Sequence, residues 1–398
     1  MSRIQTSPTL QVAAAALRLK EQGVDVVDLG AGEPDFPTPA HIAAAGRRAI
    51  DEGRTKYTAN TGTTALRRAI ARRYEADYGV SYAEQEIIVS AGGKQALVNA
   101  MLALFGPGDE VVTHAPGWPS IPEQITLADA TPVAVRCHSE DGFAIRAEPI
   151  LDALTPRTKG IVLNSPCNPT GAVMAESEVA LVAAEAARRG LWIVVDLCYE
   201  RLIYDATPHN LLAVLTKVNR DRTIFCGSAS KAYAMTGWRC GWALGPAEAI
   251  AACAAVQSHS TSNVCSITQE AAIAALEGPQ TCVQEMLDEY RRRRDRVWTL
   301  MTADPRVKCL KPGGAFYLLL DIGELLSPGD LRTSADFARA LLAELNVAVT
   351  PGEAFDAPGC IRISYATSVE RLEEGARRLH AFIGQRDAAR REAVPSAR

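Results

Sequence analysis

Three segments of this chain combine residue types that can carry covalent and acid–base chemistry. The first is Gly227-Ser228-Ala229-Ser230-Lys231, followed by Met235-Thr236-Gly237-Trp238-Arg239. A lysine at the end of an apolar run can form a Schiff base with an aldehyde cofactor once its amine loses a proton. Ser228 and Arg239 add a hydroxyl and a guanidinium, both suited to a phosphate. S-x-x-K also marks serine acyltransferases, but their partner motifs S-D-N and K-T-G are absent from the sequence. In the second segment, Asp196 closes the apolar run Leu191-Trp192-Ile193-Val194-Val195. Such an acid alone reads as a helix cap or a solvated turn. Beside a pyridine ring, its charge would keep the ring nitrogen protonated, so that the ring can accept electrons from a carbanion. Tyr199, and Asn168 in Asn164-Ser165-Pro166-Cys167-Asn168-Pro169-Thr170-Gly171, can donate hydrogen bonds to a phenolate oxygen, and the prolines and glycine fix a rigid turn. The third segment, Ser90-Ala91-Gly92-Gly93-Lys94, joins a strand to a helix. Its glycines allow close backbone approach, and the free N–H groups of the helix start would cradle a phosphate.

The elements that must bring these segments together follow from the apolar pattern. Short β-branched runs occur at 86–90, 110–114, 131–136, 159–164, 191–196 and 223–227, with helical patterns at 94–105, 121–128 and 176–189. This alternation predicts an α/β fold with a mostly parallel sheet flanked by helices on both faces. Ligands of such sheets sit at the carboxyl ends of the strands. Segments 164–168, 196–199 and 227–231, far apart in sequence, are therefore expected at one rim. From about residue 281 the pattern changes to a long helix (280–302) and two strands (315–321 and 360–364), which predicts a smaller α+β domain. The expected division is an N-terminal segment 1–45 joining the small domain, a large domain 46–283 and a small domain 284–398, with the charged end from 384 fraying.

Composition removes several other classes. A net charge of −4 over 398 residues gives no surface for a polyanion, and the basic run Arg291–Arg294 reads as a solvated helix face, so no nucleic acid is expected. No two of the ten cysteines fall in a CxxC spacing, and no HExxH is present, so no metal is expected. Free thiols fit a reducing compartment. The apolar run 12–17 is too short to span a bilayer and has one basic residue before it, which predicts a leading helix rather than a leader peptide. The expectation is a cytoplasmic protein that does not engage a membrane.

Together the segments resemble the class I aminotransferases of pyridoxal-phosphate fold type I, in the branch of bacterial aspartate and prephenate aminotransferases. The resemblance covers nearly the whole chain and rests on Leu29-Gly30-Ala31-Gly32-Glu33-Pro34-Asp35-Phe36, Lys56-Tyr57-Thr58, the 165–171 turn, Asp196 with Tyr199, Ser228-x-x-Lys231 with Arg239, Pro312-Gly313-Gly314-Ala315-Phe316 and Ile361-Arg362-Ile363-Ser364. It implies pyridoxal 5′-phosphate as cofactor and transfer of an amino group between an L-amino acid, such as aspartate or glutamate, and a 2-oxo acid. Lys231 would hold the cofactor and shuttle a proton, Asp196 would pair with the ring nitrogen, and Asn168 and Tyr199 would hold the ring oxygen. Trp118 would lie on the ring, while Ser228, Arg239 and the backbone of Gly93 and Lys94 would hold the phosphate. Arg362 would grip the substrate α-carboxylate, with Gly32 lining that corner, and Lys94 and Thr9 would recognise a distal carboxylate. Tyr57 would reach the phosphate of a neighbouring subunit, which implies a homodimer with shared active sites. Three positions depart from the family's usual residues: Gly117 where tyrosine precedes the tryptophan, Leu197 where glutamate follows the aspartate, and Cys167 where asparagine is common. Pyridoxal-phosphate-dependent lyases share this scaffold and are the alternative activity. Regulators with an aminotransferase-like domain need an appended DNA-binding segment, for which the match, starting within the first thirty residues, leaves no room.

Overall fold

The computed structural model describes residues 8–205, 209–327 and 330–393, the side chains of 8–13 and 389–393 excepted. Its strands, in chain order, are β1 (Val27–Asp28), β2 (Ile87–Ser90), β3 (Glu110–Ala115), β4 (Thr131–Arg136), β5 (Thr158–Asn164), β6 (Trp192–Asp196), β7 (Thr223–Ser228), β8 (Gly241–Leu244), β9 (Tyr317–Asp321), β10 (Val347–Ala348), β11 (Thr350–Pro351) and β12 (Cys360–Ser364). Seven of them form one sheet in the order β2-β8-β7-β6-β5-β3-β4. The pairs from β4 through β7 are parallel, whereas β8 runs antiparallel to both β2 and β7. Helices cover both faces, so β2, β3, β7 and β8 are buried along their whole length. That burial explains why β2, β3 and β7 read as apolar runs without alternation. The edge strand β4 is mostly exposed and carries Pro132, which suits a position with a free side.

β8 was absent from the sequence reading. It has four residues, begins with Gly241 and follows a phosphate-type motif, so neither length nor period distinguishes it from a loop. A tertiary need creates it: a Cβ on Gly241 would lie 2.3 Å from the Gly93 nitrogen, so this strand must be bare where it passes under the phosphate-type turn.

Two apolar clusters pack on the two faces of the large sheet, and a third lies around β9 and β12. That third cluster also takes in Tyr199, Leu202, Tyr204 and Ala234 from the sheet region. β1 pairs in parallel with β10, tying residues near the N-terminus to the C-terminal part.

The basic run is a correction. The helix Thr281–Met301 buries Tyr290, Arg293, Arg294, Val297 and Met301, so two of the four arginines face inward. Four consecutive residues span more than one helical turn and cannot share one face. Arg294, 1% exposed, donates to Asp205 and to the Pro312 carbonyl, and Arg293 pairs with Asp35 and Glu289. The last helix, Val369–Ala393, continues well past residue 384, where fraying was expected.

Candidate active site

The carboxyl ends of β5, β6 and β7 meet one cavity of about 400 Å³. Lys231, Asp196, Tyr199 and Asn168 line it together, as do Ser228, Arg239, Gly93 and Lys94. Trp118, Gly32 and Arg362 complete the wall. Every candidate from the sequence reading is therefore in one place except two. Tyr57 is 94% exposed and does not line the cavity. Thr9 begins in the helix Pro8–Glu21, but its side chain lies outside the described residues.

Lys231 sits in a one-turn helix, Ala229–Ala232, that starts where β7 ends, and Ser228 caps it by accepting from the Ser230 N–H at 3.0 Å. Its ammonium donates to the Gly32 carbonyl. Burial pushes the Lys231 ammonium below the ordinary lysine range, which favours the neutral amine that a nucleophile needs. Asp196 closes β6, is 4% exposed, and receives one N–H, from Cys198, at 2.9 Å. Burial pushes its carboxyl up to about 6.

Arg362 lies on β12 and is 3% exposed. It donates to Asn168 Oδ1 at 2.9 Å and to the Gly30 carbonyl at 2.9 Å, and its guanidinium rests between the rings of Tyr317 (4.3 Å) and Phe355 (4.8 Å). Among the described residues no carboxylate pairs with it, and its Nε has no partner. A buried charge without a counter-ion costs on the order of several kcal/mol. The site is thus built to receive an anion.

At the phosphate-type turn, Gly92 has φ +89°, and a Cβ there would meet the Arg239 guanidinium at 2.5 Å. Only glycine leaves room for that arginine beside the helix Gly93–Leu104. Lys94, in the first turn of this helix, places its ammonium 4.9 Å over the Trp118 ring. Burial and the charge of Arg239 hold Lys94 below the ordinary lysine range.

The sequence reading missed two residues that shape the site, Tyr317 and His114, and gave Asn164 no role of its own. Tyr317 opens β9 and shares a 2.7 Å hydroxyl–hydroxyl hydrogen bond with Tyr199. His114 is a buried histidine within an apolar strand, and that mismatch was its one sequence signal. Burial holds its imidazole down to about 4, so the ring is neutral at pH 7. Its Nδ1–H donates to the Pro116 carbonyl (3.3 Å), and its Nε2 accepts from the Asn164 N–H (3.2 Å). Asn164 in turn accepts from the Asn168 N–H (2.9 Å) and donates to the Asp196 carbonyl (3.3 Å). One chain of hydrogen bonds therefore ties the Trp118 turn to the ends of β5 and β6. Of the three departures from the family pattern, Leu197 and Cys167 are buried in the apolar core, whereas Gly117 stands in the wall of a neighbouring cavity.

These residues fit pyridoxal phosphate. A buried acid with a single hydrogen bond, a lysine facing the same space, a glycine cradle beside an arginine, and an arginine with an unpartnered nitrogen supply the groups that its ring, aldehyde, phosphate and substrate would need.

The family profile described as "Aminotransferase class I and II" matches residues 24–379. The chain is 45% identical to the aspartate/prephenate aminotransferase of Cereibacter sphaeroides (strain ATCC 17029 / ATH 2.4.9), over 96% of this chain and 97% of that protein. It is 41% identical to an aspartate aminotransferase of Bacillus sp. (strain YM-2), over 96% and 98%. Among solved structures, an aspartate aminotransferase from Thermus thermophilus with maleate superposes with a TM-score of 0.90 at 40% identity, over 96% of this chain and 99% of that one. The chain belongs to the class I and II aminotransferases and is a pyridoxal-phosphate-dependent aminotransferase that moves an amino group between an amino acid and a 2-oxo acid.

Proposed function

We propose that aspartate or glutamate is one amino donor of this enzyme, and that Lys231, Asp196 and Arg362 are its working groups. The observation that carries the reading is the buried Arg362 with an unpartnered Nε, in the same cavity as Lys231 and Asp196. The relatives named aspartate or aspartate/prephenate aminotransferase support an acidic donor.

Pyridoxal phosphate, when bound, supplies a carbonyl carbon that takes the amino group and a ring that accepts the electron pair released at the substrate α-carbon. Lys231 would hold the cofactor through its amine and move the proton at that α-carbon. Asp196 would pair with the ring nitrogen, Asn168 and Tyr199 would hold the ring oxygen, and Trp118 would cover the ring. Ser228, Arg239 and the N–H groups of Gly93 and Lys94 would hold the phosphate. Arg362 would grip the α-carboxylate beside Gly32 with the planar fork that suits a carboxylate.

Lys94 would meet the distal carboxylate, with Thr9 as a second contact. A charge-assisted hydrogen bond is worth ~1.5–3 kcal/mol. Lys94→Ala should therefore lose about tenfold to a hundredfold in kcat/KM for aspartate and glutamate, with little loss for alanine. A substrate panel followed through the spectral change of the cofactor in half-reactions checks this. Equal losses for all substrates would assign Lys94 to the phosphate or the fold.

The same reading makes the enzyme a cytoplasmic homodimer whose Tyr57 reaches the partner's phosphate site. Tyr57 supports it by being a nearly fully exposed large aromatic side chain, and among the described residues no helix is long and apolar enough to cross a membrane. Tyr57→Phe should weaken cofactor retention on dialysis without changing the sedimentation coefficient, and a monomeric wild type would remove the shared-site reading. We divide the chain at the helix Thr281–Met301, into an N-terminal segment to residue 45, a large part 46–283 and a small part 284–398. The core around β9 and β12, drawn mostly from residues after 284, supports that division.

A further inference from the structure

Tyr317 is 1% exposed and lines the active-site cavity from β9. Its ring lies against the Arg362 guanidinium at 4.3 Å. It stands edge-on to the Tyr199 ring, with centroids 5.8 Å apart and planes at 78°, and Phe316 packs against it at 4.8 Å. These contacts fix the ring, and its hydroxyl meets the Tyr199 hydroxyl at 2.7 Å. Gly32 completes the fit. A Cβ there would lie 3.1 Å from the Tyr317 oxygen, closer than an ordinary contact, so the bare backbone leaves the hydroxyl its place.

Each phenol has one proton to donate and can also accept. Burial holds both above the ordinary tyrosine range, so both keep their protons at neutral pH. Among the described residues neither hydroxyl has another hydrogen-bond partner. The pair therefore shares one bond and has one proton left over. If Tyr199 donated to Tyr317, the spare proton would belong to Tyr317, and Tyr199 would have none for a cofactor. If Tyr317 donates, the spare proton stays on Tyr199. Accepting a bond also polarises a hydroxyl and makes it the stronger donor.

We propose that Tyr317 is a positioning residue that acts through Tyr199, donating to its oxygen so that the Tyr199 proton is held ready for the cofactor ring oxygen. Its ring, set against Arg362, ties this pair of hydroxyls to the α-carboxylate anchor. The ionisable groups that act most strongly on the two phenols are Arg362 from β12 and Cys198 beside Tyr199. Burial pushes the Cys198 thiol up to about 12, and a guanidinium keeps its charge. Neither changes charge near neutral pH, so neither disturbs the direction of the bond. The inference rests on the reading of Tyr199 as a donor to the ring oxygen.

The absorbance of the bound cofactor, titrated against pH in the loaded enzyme, reads this bond without turnover. A donor at the ring oxygen favours negative charge there, and so lowers the pH at which the link between cofactor and Lys231 loses its proton. Tyr317→Phe keeps the ring and removes only the hydroxyl. It should move that transition up by roughly half a pH unit, the scale of a partial loss of donor strength. Tyr199→Phe should move it further, and adding Tyr317→Phe to Tyr199→Phe should move it no more. Succinate, a dicarboxylate that cannot react, should bind Tyr317→Phe as it binds the wild type in calorimetry, because the ring against Arg362 remains. Succinate affinity lost together with the shift would give the hydroxyl a role in the shape of the whole pocket and overturn the assignment. So would a Tyr317→Phe transition that stays in place or moves down while that of Tyr199→Phe moves up. If Tyr199→Phe itself produces no shift, the reading of Tyr199 has failed instead.

Discussion

Lys231→Ala should lower turnover by at least ~10²–10⁴-fold, the range lost with a general base, while the fold and the rest of the cavity persist. The residue sits in the one-turn helix after β7, and truncating its side chain removes a hydrogen bond to the Gly32 carbonyl and a cation–ring contact with Phe316. Borohydride reduction of the wild-type holoenzyme, followed by digestion and mass spectrometry, should place the cofactor on Lys231. Lys94 is the control, because it lines the same cavity and is also held below the ordinary lysine range. The two differ in surroundings: Lys231 is near enough for its charge to act on Asp196, whereas Lys94 leans over Trp118. Cofactor attached to Lys94, or near-normal turnover of Lys231→Ala, would overturn the assignment.

Asp196→Asn should leave cofactor bound and cost far more in turnover than in affinity, because the amide keeps the shape and removes the charge that favours a protonated ring nitrogen. A pH dependence follows from the same group. Without cofactor, burial places the Asp196 carboxyl at about 6, so it takes up a proton as the pH falls through that value. Pairing with a protonated ring nitrogen requires the ionised form. Cofactor binding therefore expels a proton below about pH 6, and affinity should fall by up to about tenfold per pH unit there, while this group adds no slope above it. Equilibrium dialysis of cofactor between pH 5 and 8 should show that step in the wild type and not in Asp196→Asn. Any slope due to Lys231 should be common to both. A step of equal size in the variant would assign it elsewhere.

The inner parallel strands were readable from the chain because strands covered on both faces must be apolar throughout, and β3, β5, β6 and β7 are largely apolar runs. β8 was not, since a short antiparallel strand starting at glycine gives no local signal; its place is set by the close passage of Gly241 beneath Gly93. Arg293 and Arg294 misled for a related reason. Composition marks arginine as a surface residue, yet which side of a long helix is covered depends on what packs there, and Asp35 and Asp205 come from distant parts of the chain.

The candidate site divides in the same way. Residue type and placement singled out Lys231, Asp196, Asn168, Tyr199 and Arg239 as candidates, because the chemistry of an amine, an acid or a guanidinium belongs to the side chain itself, whereas Arg362 became a candidate only through the resemblance to the family. Tertiary structure decided how those groups behave. Burial moved Asp196 up and Lys231 down, and the absence of a carboxylate partner left Arg362 ready for an anion. It also decided that His114 and Asn164 join the Trp118 turn to Asn168 and Asp196, and that Gly117 lines a second cavity. Hydrogen bonds, desolvation and cavities depend on distances between segments far apart in the sequence, and spacing along the chain does not encode those distances.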